Sequence, residues 1–298
     1  MLKLKTPVFL GVATALATPF HNHATDLDAF DRLIDLQLDA EIPALVVCGT
    51  TGEASTLTAD EKRTLFDHAV NYVAGRAKVI AGIGTNDTEK SILLAKMAAQ
   101  CGADALLAVT PYYNKCTQEG LISHYSAISD ATDLPMIVYN VPSRTGFNLL
   151  PETWLKLSEN PKINGLKEAS GNISQIAKSI FKSKDGAVIW SGNDDQIVPV
   201  MSLGGKGVIS VLSNVRPGAV RKMVDACIQG NYPEAAKLQL QFLPLVDALF
   251  SEVNPIPVKA ALTKMGICSD ETRLPLTKMS VDKRKMLYSI LEELPDIH

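Results

Sequence analysis

The chain has 298 residues, 46% of them hydrophobic, which supports one large core or two of ordinary size. Its formal net charge of −3 comes without any block of like charges, and this argues against nucleic acid as a partner, because phosphate binding needs a clustered basic surface. No apolar run reaches the roughly 18 residues of a membrane-spanning helix, so we also expect no membrane partner.

The N-terminus places two lysines before an apolar stretch, as a signal peptide does. Instead of a small-residue cleavage site, however, this stretch contains Thr14, Thr18 and Pro19 and continues into a helical pattern. We interpret it as a first strand and expect a cytoplasmic location. Free thiols in a reducing compartment are also expected, because the five cysteines are scattered and form no CxxC pair: Cys48, Cys101, Cys116, Cys227 and Cys268.

Eight apolar runs recur along the chain, and a polar loop and an amphipathic segment follow each of them. In chain order the runs are VFLGVATAL, ALVVCG, KVIAGIG, ALLAVTP, PMIVYNV, INGLKEA, AVIWSG and GVISVLS. Their continuous apolar character predicts strands that are covered on both faces, as in a parallel sheet. Capping boxes, from Thr25 to Asp28 and from Thr58 to Glu61, predict where the first two helices begin.

Eight alternating strand and helix units predict an α/β protein with a closed (β/α)8 barrel, or TIM barrel, a fold of about 250 residues. A doubly wound open sheet is the alternative, but no GxGxxG motif follows the first strand. Residues 231–298 contain no strand-like run and show helical patterns near 233–249, 257–265 and 281–294. We therefore predict a barrel over residues 1–230 that carries the active site, and a C-terminal helical region over 231–298 packed on it.

A histidine pair, His21 and His23, follows the first strand and could mark a barrel metal hydrolase. Such a site needs further histidines on later strands and an acid on the last. No histidine lies on the fifth or sixth run, and the eighth ends in Asn214, while His68 and His124 fall in helical segments. We therefore predict no metal site and interpret His21 and His23 as loop residues.

In this fold, chemistry is carried by the carboxyl ends of the strands. These ends read GTTGE after the second run, TPYYN after the fourth, YNVPSR after the fifth, KEASG after the sixth and SGND after the seventh. Together they are rich in hydroxyl groups and contain one lysine, one arginine and no histidine. The sequence therefore directs attention to that lysine.

Lys167 and Glu168 cannot both face the barrel interior, because successive strand side chains point to opposite faces. If Lys167 shares a face with Gly165 and Ala169, these small neighbours leave room for a substrate. A desolvated lysine has a lowered pKa, and its neutral amine can form a Schiff base with a ketone or aldehyde. A structural lysine paired with a carboxylate at the rim fits the strand pattern equally well.

Tyr139 lies at the equivalent point of the fifth strand, so its phenol is expected near the Lys167 amine. Schiff-base chemistry requires proton transfers that a phenol can supply. This favours the catalytic interpretation of Lys167. A buried tyrosine whose hydroxyl is already hydrogen-bonded is the alternative for Tyr139.

Thr50 and Thr51, flanked by glycines in GTTGE, offer hydroxyls and backbone N–H groups to a carboxylate, although an ordinary strand-to-helix turn has the same pattern. Arg144 could bind a second carboxylate in a bidentate pair, or be a surface arginine. The spacing of Tyr112 and Tyr113 does not decide between core and site positions.

The motifs GTTGE, TPYYN, YNVPSRTG, KEASGN and GVISV, in this order, resemble the pyruvate-dependent class I aldolases of the dihydrodipicolinate synthase and N-acetylneuraminate lyase family. The resemblance covers essentially the whole chain, including NPIPVKAAL near the C-terminus. VPSRTG, with its arginine, is similar to the synthases rather than to the sialic acid lyases. This implies condensation of pyruvate with L-aspartate 4-semialdehyde to give 4-hydroxy-tetrahydrodipicolinate, in the synthesis of lysine and diaminopimelate.

The resemblance also implies roles for individual residues. Lys167 is expected to form the Schiff base with pyruvate, with Tyr139 as proton donor and acceptor. Thr50 is expected to relay protons between Tyr139 and Tyr113, the latter coming from a neighbouring subunit. A homotetramer built as a dimer of dimers follows from this arrangement.

The remaining implied contacts concern the substrates. Thr51, Gly192 and Ile209 match positions around bound pyruvate, and Arg144 matches the residue that receives the carboxylate of aspartate semialdehyde. No metal or organic cofactor is expected, because the protonated imine is itself the electron sink.

A lysine regulatory site at the dimer interface is implied in part. Asn86 and Tyr112 match it, whereas Ala59, Lys62 and Lys90 do not, and the two lysines would repel a cationic ligand. We therefore expect weak or absent inhibition by lysine. Cys116, three residues beyond Tyr113, is either a reactive thiol near the site or a loop residue, and we favour the loop residue.

Two alternatives for the function stay open at this point. Another pyruvate-dependent aldolase, cleaving sialic acid or keto-deoxy sugar acids, would keep Lys167 and Tyr139 but use a different aldehyde. A barrel that binds a small carboxylate without catalysis would need neither residue for chemistry.

Overall fold

A computed structural model describes residues 5–184 and 186–297. In these ranges eight parallel strands close into a barrel, each strand pairing with the next along the chain and the last with the first. The (β/α)8 prediction is confirmed. The strands are β1 Gly11–Ala15, β2 Ala44–Val47, β3 Lys78–Gly82, β4 Ala105–Val109, β5 Met136–Asn140, β6 Ile163–Glu168, β7 Val188–Ser191 and β8 Gly207–Ser210.

Helices follow the strands and cover the outside of the barrel. They are α1 Leu27–Asp39, α2 Ala59–Val73, α3 Thr88–Gln100, α4 Gln118–Asp130, the short α5 Pro142–Thr145, α6 Pro151–Ser158, α7 Ile173–Lys182, α8 Ile197–Ser202 and α9 Pro217–Ile228. Two 3₁₀ turns, Asp194–Gln196 and Leu212–Asn214, follow β7 and β8. A small antiparallel hairpin, Phe20–His21 with Ala24–Thr25, lies between β1 and α1. His21 is therefore a strand residue, which corrects its interpretation as a loop residue, and His23 lies in the turn.

One of the two predicted capping boxes is present. The Thr58 side chain accepts from the Glu61 N–H at 3.2 Å, and the Glu61 carboxylate accepts from the Thr58 N–H at 2.8 Å. The box between Thr25 and Asp28 is wrong. There Asp26 is the N-cap, accepting from the Ala29 N–H at 3.0 Å, so α1 begins at Leu27, later than predicted, and Ala29 instead of Asp28 occupies the third helical position.

The strands separate two apolar layers, because alternate side chains point to opposite faces. Ile137 faces the barrel interior, whereas Val138 belongs to the outer layer under the helices. Inside, Phe9 stacks on Trp190 with 4.6 Å between ring centroids. A Cβ at Gly165 would lie 2.3 Å from Trp190 Cζ3. The Trp190 indole therefore occupies the space beside Gly165 that we expected to be open to substrate.

The C-terminal region forms α10 Tyr232–Leu249, α11 Ile256–Lys264 and α12 Val281–Glu293, close to the predicted bounds. Helix α10 packs on α8 and α9 of the barrel. The division of the chain at residue 230 stays a prediction. Within the described ranges, no helix combines the length and the apolar character that a membrane crossing requires.

Candidate active site

Lys167 and Tyr139 lie side by side on adjacent strands. They are register partners in the parallel pair β5 and β6, so their side chains share the interior face. The Lys167 Nζ lies 4.3 Å from the centroid of the Tyr139 ring. Glu168 points outward, where its carboxylate accepts from Asn140 Nδ2 and from the Ser170 N–H. Lys167 and Glu168 therefore point to opposite faces, as alternation requires, and Lys167 is the one that faces inward.

Lys167 opens into a cavity of about 170 Å³, which we call the Lys167 cavity. Six of the residues predicted for the site line it: Thr50, Thr51, Tyr139, Arg144, Lys167 and Gly192. A Cβ at Gly192 would lie 2.7 Å from Ala169 Cβ and 3.1 Å from Lys167 Cε, so a side chain there would displace the lysine. Ile209 does not line the cavity and is fully buried in the barrel interior.

Burial lowers the pKa of Lys167 from its ordinary value of 10.5 to about 8. The Asp194 carboxylate acts in the opposite direction, and the Arg144 guanidinium adds to the lowering. In the described part of the chain, Lys167 has no hydrogen bond or salt bridge, so the alternative of a lysine paired with a carboxylate is not supported. About a tenth of this amine is therefore neutral at pH 7, far more than for an ordinary lysine.

Burial raises the pKa of Tyr139, while Arg144 and a hydrogen bond with Thr50 oppose the rise. The phenol is therefore protonated at neutral pH and can donate a proton. Since Thr50 also lines the cavity, it extends the hydrogen-bonding groups from Tyr139 toward the rim. The arrangement can move protons to and from a group attached to the Lys167 nitrogen.

Two residues that support the site were missed at the sequence level. Asn254, between α10 and α11, lines the Lys167 cavity and donates to the Thr51 hydroxyl at 3.0 Å. Asp194 accepts from the Ser210 hydroxyl at 2.5 Å and from the Leu212 N–H at 2.9 Å, joining the ends of β7 and β8. Asp194 belongs to the SGND motif at the end of a strand, so its position in the sequence was a signal for a site residue. Asn254 lies outside the barrel, where no strand-end pattern marks it.

A second cavity, the Lys62 chamber, adjoins the first and measures about 260 Å³. It shares Thr50, Tyr139 and Arg144 with the Lys167 cavity, and Lys62 and Tyr112 line it as well. Of the other residues considered for lysine regulation, Asn86 is not in the lining, and its backbone carbonyl accepts from Asn114 Nδ2. Lys90 lies on the surface, with its Nζ 4.0 Å from Asp87.

Tyr113 lines neither cavity of its own chain. It is 92% exposed, and its φ of +70° is in the left-handed region that bulky residues rarely adopt. In a single chain, the Tyr113 phenol therefore points into the solvent. Arg144, on α5, is also exposed although it lines both cavities.

Comparisons with known proteins add to this geometry. Residues 8–294 match the model of the "Dihydrodipicolinate synthetase family". The chain belongs to this family. The 4-hydroxy-tetrahydrodipicolinate synthase of Caldicellulosiruptor saccharolyticus is 50% identical over 286 residues, which cover 96% of this chain and 97% of that protein. The family assignment made from the motifs is confirmed.

Solved structures agree with the fold. Dihydrodipicolinate synthase from Thermotoga maritima aligns with a TM-score of 0.95 at 44% identity, covering 96% of this chain and 98% of that one. A monomeric dihydrodipicolinate synthase variant also aligns with a TM-score of 0.95 at 44% identity, covering 96% and 97% of the two chains. The fold is therefore found in a monomeric form as well.

Proposed function

We propose that this chain condenses pyruvate with L-aspartate 4-semialdehyde to give 4-hydroxy-tetrahydrodipicolinate, a step in lysine and diaminopimelate biosynthesis. The observation that carries the proposal is Lys167, a buried amine with no ion pair among the described residues and a pKa of about 8, beside a protonated phenol. Family membership and the name of the relative support the product, and the motif resemblance implies the substrates. The enzyme is a lyase of the Schiff-base aldolase type.

The first half of the reaction activates pyruvate. The neutral Lys167 amine attacks the ketone carbon, and Tyr139 passes a proton to the oxygen that leaves as water. The resulting protonated imine withdraws electrons, so the pyruvate methyl group loses a proton and an enamine forms. Thr51, whose hydroxyl is fixed by Asn254, and Gly192 border the space for the pyruvate carboxylate.

The second half forms the new bond and releases the lysine. The enamine carbon attacks the aldehyde of aspartate semialdehyde, and Arg144 binds the carboxylate of that substrate at the cavity mouth. The amino group of the bound product then attacks the imine carbon, displaces Lys167 and closes the ring. Each step is completed by proton transfers through Tyr139 and Thr50, without a metal or an organic cofactor.

We propose that the working form is a homotetramer, a dimer of dimers, in which Tyr113 completes the site of a neighbouring copy. The 92% exposure and left-handed φ of Tyr113 support the first interface, because a partner is needed to bury this side chain. The second interface, which would join two dimers, is supported by two exposed apolar side chains near the contact between α7 and α8. These are Phe181, 88% exposed, and Leu203, 42% exposed. Light scattering should give the mass of four chains, and a stable monomer with full activity would contradict this part.

We also propose a cytoplasmic location and weak or absent inhibition by lysine. Cys48, Cys101, Cys116, Cys227 and Cys268 are all free thiols, as expected in a reducing compartment. Lys62 in the chamber and Lys90 nearby place positive charge where a cationic effector would have to bind. Half-inhibition at sub-millimolar lysine would refute the second point.

Turnover of defined substrates tests the proposed function. The purified chain is assayed with pyruvate and aspartate semialdehyde, and in parallel for cleavage of sialic acid and keto-deoxy sugar acids. We expect condensation with aspartate semialdehyde and little cleavage of the sugar acids. Preferred cleavage of a sugar acid would assign another aldolase activity of the same family, and binding of pyruvate without any turnover would indicate a carboxylate-binding barrel.

A further inference from the structure

Asp194 is a buried acid that the reaction described above does not use. It begins the 3₁₀ turn after β7, is 1% exposed, and has no salt bridge within the described residues. Three donors at the end of β8 converge on its carboxylate. They are the Ser210 hydroxyl at 2.5 Å and the N–H groups of Val211 and Leu212 at 3.0 and 2.9 Å. Donors of this kind stabilise the ionised form of a carboxyl group.

The Asp194 carboxylate lies behind the wall of the Lys167 cavity. Gly192 and Val211 line that cavity, whereas Asp194 does not. Val211 donates its N–H to Asp194, and a Cβ at Gly192 would lie 3.1 Å from Lys167 Cε. On the outer side, the Gln239 amide on α10 donates to the Asp194 carbonyl oxygen at 2.8 Å. The carboxylate is therefore held near the lysine, with cavity wall between it and any substrate.

The charged groups nearby make Asp194 the anion that acts on Lys167. Among the described residues that line the Lys167 cavity, none is Asp or Glu, whereas Lys167 and Arg144 are cationic. Asp194 raises the pKa of Lys167 and Arg144 lowers it. Burial raises the pKa of Asp194, and its three donors and Lys167 oppose that rise. The neighbouring carboxylates face elsewhere: Glu168 accepts from Asn140 outside the barrel, and Asp195 is exposed and interacts with Asp247 on α10.

The charge on the Lys167 nitrogen changes during the proposed reaction, on which this inference rests. The neutral amine adds to the ketone carbon, one proton moves from nitrogen to oxygen, Tyr139 supplies a second proton, and the oxygen leaves as water. The imine nitrogen then carries one positive charge until the methyl group loses a proton and the enamine forms. We propose that the Asp194 carboxylate is the counter-charge of this cationic Schiff base, acting through Lys167 from behind the cavity wall.

Such a counter-charge has two effects on the reaction. It stabilises the cationic imine, which burial would otherwise disfavour. It also stabilises the ammonium form of the free lysine, so that less of the amine is neutral at a given pH. Removing the charge should therefore make Lys167 a weaker base and slow the steps that pass through the imine. Asp194 is a positioning residue in this account, because it acts on Lys167 and not on the substrate.

Asp194→Asn tests the proposal, because it removes the charge and nearly keeps the shape. We expect kcat/KM for pyruvate to level off about one pH unit below the wild-type value, since the uncompensated ammonium loses its proton more easily. The kcat at pH 8 should fall about tenfold. If this variant does not fold, Asp194→Ser replaces it, because its hydroxyl can still accept from a backbone N–H. An unchanged levelling point in the folded variant would overturn the proposal.

Gln239→Met is the control for a purely structural role of Asp194. It removes the amide that holds the Asp194 carbonyl oxygen and leaves the carboxylate in place, so its pH profile should match that of the wild type. A lower kcat in Asp194→Asn, with a pH profile as unchanged as that of the control, would show that Asp194 only joins the ends of β7 and β8. That result would also overturn the proposal.

Acylation of Lys167 by acetic anhydride at a series of pH values measures its pKa without pyruvate. We expect a pKa of about 8 in the wild type and about one unit less in Asp194→Asn. Equal values in the two proteins would overturn the inference. A wild-type chain that forms no adduct with pyruvate would instead count against the proposed function, and acylation would still decide whether Asp194 acts on Lys167.

Discussion

Two lysines buried in this molecule have opposite surroundings. Lys259, on α11 outside the barrel, is 0% exposed, and its Nζ lies 2.5 Å from Glu53 and 2.7 Å from the Glu271 carbonyl oxygen that accepts from it. Lys167, inside the barrel, is 4% exposed and has no such partner in the described part of the chain. Burial lowers the pKa of both, but only Lys259 has a carboxylate in contact to counter it.

The comparison distinguishes a lysine that stabilises the structure from a lysine that can act as a nucleophile. The Lys259 ion pair holds α11 against the loop that contains Thr50 and Thr51, so its charge is used to fix that loop. Lys167 is left as a free amine that faces a cavity. Burial alone therefore does not identify a nucleophile; Lys167 is distinguished by facing a cavity beside the Tyr139 phenol without a carboxylate in contact.

The largest expected effect is the loss of activity on removing the Lys167 amine. Lys167→Met should reduce kcat by at least about 10⁴-fold, because no Schiff base can form. Its stability should not fall, since the variant removes a buried cation that has no ion pair within residues 5–184 and 186–297. Steady-state kinetics and thermal unfolding measure the two properties, and a variant that keeps a tenth of the wild-type kcat would remove Lys167 from the mechanism.

Lys259→Met should lower the free energy of unfolding, in contrast to Lys167→Met, which should lower kcat. Removing one partner of a buried ion pair costs about 3–5 kcal/mol, because the Glu53 carboxylate is left buried without its cation. Chemical denaturation at a fixed protein concentration measures this loss. The double variant Lys259→Met with Glu53→Gln is the control and should recover part of the stability; a double variant less stable than the single one would contradict the account.

Tyr139→Phe tests the proton transfers separately from the amine. The variant should still form the pyruvate adduct, but its kcat should fall by about 10²–10³-fold, because a positioned acid–base group contributes this much. Borohydride trapping and steady-state assays distinguish the two effects. Full turnover by the phenylalanine variant would show that the phenol is not used.

A smaller effect is expected on the pH profile. The reactive form of Lys167 is the neutral amine, so kcat/KM for pyruvate should rise about tenfold per unit as pH approaches 8 and level off above it. The pKa of Tyr139 is raised above its ordinary value of 10, so the phenol does not titrate in this window. A profile that is flat between pH 6 and about 9 would contradict the lowered pKa of Lys167.

Local sequence patterns were enough to predict much of this molecule. Continuous apolar runs predicted the eight strands, and alternation along INGLKEA predicted that Lys167 and Glu168 point to opposite faces. The features that were missed depend on contacts between distant segments. Asn254 reaches Thr51 across 203 residues, and Trp190 fills the space beside Gly165 from the neighbouring strand. The capping error at Thr25 has a local cause, because the adjacent Asp26 is an equally suitable N-cap.

Borohydride reduction in the presence of pyruvate, followed by peptide mass spectrometry, tests the central claim most directly. An imine that forms on a neutral lysine is converted into a stable secondary amine, so the labelled residue is read from its mass. We predict one adduct per chain on Lys167, with Lys259 unlabelled because its ammonium is held in the ion pair with Glu53. A protein without an adduct, or an adduct on another lysine while Lys167 stays unmodified, would contradict the account.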